Sequence, residues 1–322
     1  MLSRRSLFGL AGAYVMAPVR AQQRWPDKPV MLVVPYAPGS APDSITRILA
    51  EQFHARFGQP FVVDNKVGAG GNVGVAAVAR STPNGYTFVA APVGIFAINQ
   101  FLQDRIPFDA ARDLAPVTPI YEVPNVLVVR ADHPARSVSE FVDWARGRAD
   151  PISFGSPGVG NSAHLFGDLL RSKARFSASH VPFQSSPQVI TSMLQGDVAF
   201  AIDIQFSYLP FIHQKKLRAL AVTGTSRWPL LPDVPTMDEL GFTGFDLVTW
   251  VSLAAPAGTP PVAIRELADA QVALAQDAAL QQRFLSLGVR IAGSRPEALV
   301  ERIARERPRW GALVKASGAR TG

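Results

Sequence analysis

The chain has 322 residues, with 32 Lys and Arg against 25 Asp and Glu, a formal charge of +7, 48% hydrophobic residues and no cysteine. The missing thiols exclude disulfides, thiolate metal sites and a cysteine nucleophile. The basic residues are scattered, apart from Lys215-Lys216-Leu217-Arg218 and the C-terminal stretch, so the basic stripe with flanking aromatics that nucleic-acid binding requires is missing; the surface carries only a mild bias toward anionic ligands.

Residues 1–21 read as an export signal. Ser3-Arg4-Arg5-Ser6-Leu7-Phe8 gives a positive start, an apolar run reaches Ala17, and Val19-Arg20-Ala21 precedes a cut that makes Gln22 the new N-terminus. The run is shorter than the about 20 apolar residues of a membrane span and is broken by Gly9, Gly12 and Pro18. Arg4-Arg5 resembles a twin-arginine signal, although a plain secretory signal also carries such pairs. The expected location is the periplasm. The remaining chain, about 300 residues, exceeds one ordinary core and predicts two domains. No later segment is long and apolar enough to cross a bilayer.

Apolar runs predict strands at Val30 to Pro35, Phe61 to Asn65, Tyr86 to Ala91, Asn125 to Arg130, Ile152 to Gly155, His180 to Phe183, Val198 to Asp203 and Leu217 to Thr223. Helical patterns lie between them, as where Ile45, Ile48, Leu49 and Phe53 recur at helical spacing. This alternation predicts an α/β protein with mainly parallel sheets covered on both faces. Capping boxes are expected at Ser40 to Asp43, Ser137 to Glu140, Thr236 to Glu239 and Ser294 to Glu297. Past Arg218 the pattern changes. Pro229, Pro232 and Pro235 stiffen a connector, Phe245 to Ala255 reads as a long strand, and from Val262 onward the chain is nearly all helix. A chain that builds one domain, leaves to build a second and returns fits this order.

Chemistry concentrates in three loops that follow strands and open helices: Pro38-Gly39-Ser40, Gly68-Ala69-Gly70-Gly71-Asn72, and Ser156-Pro157-Gly158-Val159-Gly160-Asn161-Ser162. Small residues there leave backbone N–H groups free at helix N-termini, which favours an anion. Gly158-Val159-Gly160-Asn161-Ser162-Ala163 matches a relaxed dinucleotide fingerprint, but no acid follows on the next strand to hold a ribose. A hydrolase built from Ser156 or Ser162 with His164 lacks the nucleophile elbow, because Phe154 stands where glycine is needed. His54, His133, His164, His180 and His213 show no metal spacing. Asp43 either caps its helix or faces a ligand. Asp203 either ties down backbone at a domain junction or does the same. Tyr36 and Phe183 are core aromatics or an apolar wall for a small ligand.

Further motifs complete a pattern. Trp25-Pro26-Asp27-Lys28-Pro29-Val30, Val34-Pro35-Tyr36-Ala37-Pro38-Gly39, Val63-Asp64-Asn65 with the following glycine loop, and Pro83-Asn84-Gly85-Tyr86-Thr87 stand in the first half. Gly155-Ser156-Pro157-Gly158, His164-Leu165, Val181-Pro182-Phe183, Leu217 to Thr223, Leu231 to Thr236 and Ala255 to Pro260 follow. From Trp25 onward the chain resembles the periplasmic solute-binding receptors of the tripartite tricarboxylate transporter, the Bug family.

That resemblance implies a two-lobed type II periplasmic-binding fold hinged around a cleft. It implies capture of a small carboxylate, delivered to membrane permease subunits, with no catalysis, cofactor or metal. Lobe one is expected at 25–124 plus 235–322, and lobe two at 125–234. The ligand would be met by Tyr36, Ala37, Pro38, Gly39, Ser40 and Asp43 from lobe one. Ser156, Pro157, Gly158, Asn161, Ser162, His164 and Asp203 would meet it from lobe two. The chain departs from the family pattern at Ser40, where a second glycine is usual, at Ala41-Pro42, at Asn161, at Gln184-Ser185, and at Pro92-Val93-Gly94-Ile95, which lacks hydroxyls. Fewer hydroxyl donors make an aromatic or partly apolar carboxylate as plausible as citrate. The alternatives are an exported enzyme holding a cofactor at the glycine-rich loops, or a receptor that serves signalling without a permease of its own.

Overall fold

A computed structural model describes residues 25–103 and 105–321, so the expected export segment lies outside the described residues. In chain order the strands are β1 (Val30–Val34), β2 (Phe61–Asn65), β3 (Thr87–Pro92), β4 (Leu114–Val123), β5 (Asn125–Arg130), β6 (Ile152–Ser156), β7 (Ala178–Pro182), β8 (Phe200–Ile204), β9 (Leu217–Val222), β10 (Thr249–Pro256) and β11 (Arg290–Ile291). They form two sheets, ordered β11-β4-β10-β3-β1-β2 and β7-β6-β8-β5-β9. Helices flank both, giving the expected two-lobed α/β architecture.

The sheets are mixed. Pairing is parallel where strand-helix units succeed one another, in β2-β1-β3 and β7-β6-β8. It is antiparallel where the chain passes between sheets: β5 follows β4 through the single residue Pro124, and β10 and β11 return to the first sheet against β3 and β4. A parallel neighbour needs a crossover of a dozen or more residues, and these strands enter without one in their own sheet.

The strand β4 has no counterpart among the sequence expectations because Pro116 and Pro119 interrupt its apolar run, and proline demotes a strand in such a reading. The sheet accommodates both. Its register against β10 slips at two points, leaving Ile120 and Val117 unpaired beside the two prolines. The β11 ladder covers only Tyr121 and Glu122, beyond the prolines. Bulges of this kind are where a strand tolerates a missing N–H.

The helix Ala41–Phe57 buries Ile45, Ile48, Leu49 and Phe53 as its spacing predicts, and ends at Gly58 in the left-handed region. The helix Val138–Arg146 has a working box: Ser137 Oγ accepts the Glu140 N–H at 3.1 Å, while Glu140 accepts the Arg136 N–H at 2.7 Å. The other boxes differ. Ser40 makes no side-chain cap, Arg295 rather than Ser294 is the N-cap of the helix Pro296–Ser317, and Thr236 accepts the Glu239 N–H in a turn that never becomes a helix.

Residues 235–247 pack on the second sheet. Val222 N donates to Pro235 O, Met237 N to Val222 O and Gly224 N to Phe245 O, and Phe245 stacks on Phe166 of the helix Ser162–Ala174 at 5.7 Å. The helix Pro296–Ser317 braces both lobes. Its Trp310 packs on Phe166 at 5.5 Å, and its buried Glu306 accepts from Trp250 Nε1 of β10 at 2.8 Å and from Arg302 Nε at 2.8 Å. A buried carboxylate held by charge-assisted bonds is costly to disturb, so this network fixes the helix on the sheet.

Candidate functional site

The strand registers bring the loops after β1 and β6 to the same gap. Pro92, at the end of β3, lies opposite Val251, so Thr249 at the start of β10 marks the edge where parallel β1 and β3 both end. In the second sheet Asn125, at the start of β5, lies opposite Ile204 at the end of β8, and β6 runs parallel to β8. The two edges meet at a buried polar knot. Thr249 Oγ1 lies 3.0 Å from Ser162 Oγ and donates to Asn125 Oδ1 at 3.2 Å, and Asn125 Nδ2 donates to Ile202 O at 3.2 Å. Asn125 carried no sequence signal beyond its place at a strand start, and Thr249 lay inside the strand expected over Phe245 to Ala255, which in the structure begins only at Thr249.

In the first loop Asp43 is a brace. Its carboxylate accepts the Gly39 N–H at 2.8 Å, Arg47 Nε at 3.0 Å and Asn65 Nδ2 at 2.9 Å, and Asn65 Nδ2 also reaches Tyr36 O at 3.0 Å. Burial alone would raise this carboxyl, but Arg47, the Gly39 N–H and Asn65 together outweigh it and hold it below the usual range. Both oxygens are thereby used inside the lobe. Gly39, at φ +79°, makes the turn that the braced loop needs, and Ser40 N closes it on Ala37 O. Because the N-cap residue Ser40 makes no side-chain bond, the helix N–H groups of Ala41 and Asp43 make no hydrogen bond among the described residues, and the buried Ser40 hydroxyl has no partner there either. Tyr36 lies half-buried against the first-lobe core and beside Gly71, with burial pushing its phenol up to about 12; Ala37 and Pro38 are exposed.

The second loop is held from inside by two imidazoles. The Gly160 N–H donates to His164 Nδ1 at 2.9 Å, and His164 Nε2 lies 3.0 Å from Asp168 Oδ2. His180 stacks on His164 with ring centroids 3.7 Å apart, and its Nε2 lies 2.7 Å from Ser156 Oγ, which donates to Gly158 O at 2.6 Å. Asn161 Oδ1 accepts the His164 N–H at 3.0 Å, capping the helix Ser162–Ala174. Burial pushes the Asp168 carboxyl up, but His164 and Arg171 outweigh it and hold it low. Burial, with His164 beside it and Asp168 opposing, depresses His180 to about 4. What remains is a row of backbone donors: the N–H groups of Gly158, Val159, Asn161, Ser162 and Ala163 make no hydrogen bond among the described residues. Pro157, half-buried, contributes none.

Two side chains expected at the ligand are engaged within lobe two. His164 does not offer a ring nitrogen to the cleft, because both are engaged within lobe two. Asp203 is 2% exposed, and its carboxylate accepts the Ile204 N–H at 2.7 Å and the Tyr208 hydroxyl at 3.1 Å, so it ties the end of β8. Burial pushes it up to about 6, against the hydrogen bonds from Ser186, Ile204 and Tyr208. The hydrolase pairing is also rearranged: Ser156 meets His180, not His164, and its own proton goes to Gly158 O in a fully buried setting. Among the described residues no group of three His, Asp or Glu could hold a metal ion, and no helix is long and apolar enough to cross a membrane. A groove of about 430 Å³ lined by Arg47, Glu51, His54, Phe61 and Val63 runs between the helix Ala41–Phe57 and β2.

Two α/β lobes, each leaving N–H groups unpaired at a helix start on a shared edge beside a two-strand crossing, define the class of two-lobed solute-binding proteins. The chain belongs to one family within it: residues 45–319 match the tripartite tricarboxylate transporter family receptor. It is 36% identical over 315 residues to the UPF0065 protein of the tcbD-tcbE intergenic region of a Pseudomonas species, covering 97% of this chain and 93% of that protein. It is 32% identical to protein BugT of Bordetella pertussis, covering 97% and 95%. Among solved structures, R. palustris Rpa4515 with adipate superposes with a TM-score of 0.83 at 30% identity, covering 92% of this chain and 99% of that one. MatC from Rhodopseudomonas palustris with bound malate gives 0.77 at 27% identity, covering 90% and 100%.

Proposed function

We propose that this protein is a periplasmic receptor that closes its lobes on a small carboxylate and presents it to the permease subunits of a tripartite tricarboxylate transporter. The observation that carries the proposal is the pair of loops in which side chains that could bind a ligand turn inward and backbone donors stay free. Asp43 on one side, and His164 and Asn161 on the other, satisfy their own lobes. The anion is left to Ala41 and Asp43 N–H and to those of Gly158, Val159, Asn161, Ser162 and Ala163, at two helix starts whose dipoles favour negative charge. Tyr36 supplies an apolar side, consistent with a ligand that is partly apolar between or beyond its carboxylates. Binding draws the lobes together because only the closed state offers both sets of donors. The contacts of residues 235–247 with β9 support placing lobe two at 125–248 and the return into lobe one at Thr249, rather than near Pro235. No chemical step is required, and the family it belongs to is one of receptors.

Thermal unfolding of ligand-stripped protein against mono-, di- and tricarboxylates, aromatic acids and nucleotides tests the reading. A ligand that binds only the folded state raises the midpoint. One carboxylate class is expected to shift it; a shift with nucleotides alone would overturn the receptor assignment.

A further inference from the structure

We propose that His164 is the positioning residue of the second loop, and that Asp168 sets it by fixing which ring nitrogen carries the proton. The inference rests on the carboxylate-receptor reading for its consequence, although the loop geometry is independent of it. A backbone N–H can only donate. The Gly160 N–H at 2.9 Å therefore requires a bare lone pair on His164 Nδ1, which places the ring proton on Nε2, where Asp168 Oδ2 accepts it at 3.0 Å. Arg171, on the other side, bonds the second oxygen of Asp168 and keeps the carboxylate aimed at the ring. The ring also packs on His180, stacked at 3.7 Å and itself committed to Ser156, and on Phe154 at 6.1 Å, neither of which competes for its nitrogens.

The consequence lies in the backbone. Gly160 has φ +77° and Gly158 φ +131°, so the loop follows a path open to few residues other than glycine and needs tethers to keep it there. His164 anchors the second of these turns and His180, through Ser156, the first. With Gly160 N–H drawn inward, the neighbouring N–H groups from Gly158 to Ala163 stay unpaired. The imidazole thus shapes the anion site without touching the anion.

The test uses the isostery of amides with imidazole. In His164→Asn the side-chain oxygen can take the place of Nδ1 and keep the Gly160 bond; in His164→Gln the amide nitrogen can take the place of Nε2 and keep only the Asp168 bond. Selective ¹⁵N-histidine labelling of the wild type is expected to show the Nε2–H tautomer at His164, and Asp168→Asn is expected to move it toward Nδ1–H. The Gly160 amide is expected to exchange at least tenfold more slowly than that of Val159 in the wild type and in His164→Asn, and to lose that protection in His164→Gln and Asp168→Asn. Adipate and malate serve as binding probes, with any carboxylate found in the unfolding screen. Affinity is expected to fall tenfold or more in His164→Gln and Asp168→Asn and less than about fivefold in His164→Asn. An Nδ1–H tautomer in the wild type, or equal Gly160 exchange in all four proteins, would overturn the proposal even if a carboxylate binds. If no carboxylate binds the wild type, the receptor reading fails, and the tautomer and exchange data still decide the role of His164.

Discussion

Gly160 of the second loop lies against Leu102 of the first lobe so closely that a Cβ on the glycine would come within 2.4 Å of the leucine Cδ1. Its backbone, at φ +77°, is in the region L side chains rarely adopt. Leu102 is in turn pinned, since its carbonyl accepts the Thr321 N–H at 3.1 Å. This contact joins the lobes beside the loop that carries the free donors. Gly160→Ala is therefore expected to cost about 1–2 kcal/mol through the backbone and about 1–3 kcal/mol through overpacking, and to weaken carboxylate binding by holding the lobes apart. Calorimetric binding and small-angle scattering would follow affinity and closure. Adding Leu102→Ala should recover the steric part and leave the backbone part; strictly additive losses in the double variant would show that the two residues do not meet.

Asp43 should behave as a structural carboxylate. Its folded-state titration lies below the usual range, so its contribution to stability is complete above the unfolded value of about 3.9 and drains away as pH falls through the lower folded value. Asp43→Asn places an amide beside Arg47 and removes charge-assisted bonds, at an expected cost of about 1–3 kcal/mol at pH 7. Urea unfolding of wild type and variant from pH 7 down to 3 would check this. The gap should close at the acid end; a constant gap would mean the charge does not matter.

Much of this site was legible in the sequence because glycine and proline mark loop ends directly. Of the three small-residue loops, the two after β1 and β6, the helices they open and their free N–H groups follow from Gly39, Gly158 and Gly160 placed after apolar strands. The direction in which a polar side chain turns was not legible. Asp43, His164 and Asp203 are the residue types that meet ligands, and only their partners, Gly39, Gly160 and Tyr208, show that they face inward. Each partner is close in sequence, Tyr208 standing just past the short turn that follows β8, so it is the local backbone path that decides which way the side chain turns. The strand β4 was hidden for a different reason: two bulges absorb Pro116 and Pro119, and a bulge exists only once β10 lies alongside.

Glu306 tests whether the C-terminal helix is held by charge or by packing. It is 5% exposed and accepts from Trp250 Nε1 and Arg302 Nε. Removing Glu306 leaves the buried Trp250 Nε1–H unpaired while Arg302 keeps its ion pair with Glu122 at 3.2 Å, so Glu306→Ala is expected to cost about 1–3 kcal/mol. Trp250 and Trp310 both contact the site, so indole fluorescence in a urea titration reports the change directly. A loss below about 1 kcal/mol would show that packing around Trp310 suffices.

Asp203 and His180 predict opposing responses to acid. Asp203 titrates near 6 in the folded state, above its unfolded value of about 3.9, so the folded protein holds its proton more tightly and stability falls as pH rises between the two. His180 titrates near 4, below its unfolded value of about 6.5, so the unfolded chain takes the proton first and stability falls as pH drops through that window. The slopes cancel between about pH 4 and 6 in the wild type, where stability should be nearly flat. Asp203→Asn removes the first slope and exposes the second. The variant should be more stable than the wild type by about 1–3 kcal/mol at pH 7, with the difference shrinking toward zero near pH 4. Because the carboxylate is spent on Ile204 and Tyr208, carboxylate affinity should stay within about twofold, a shift below roughly 0.5 kcal/mol. Unfolding midpoints across pH 4 to 8, with one binding titration at pH 7, decide both points. Parallel stability curves would remove the buried-acid account, and a large loss of affinity would return Asp203 to the ligand.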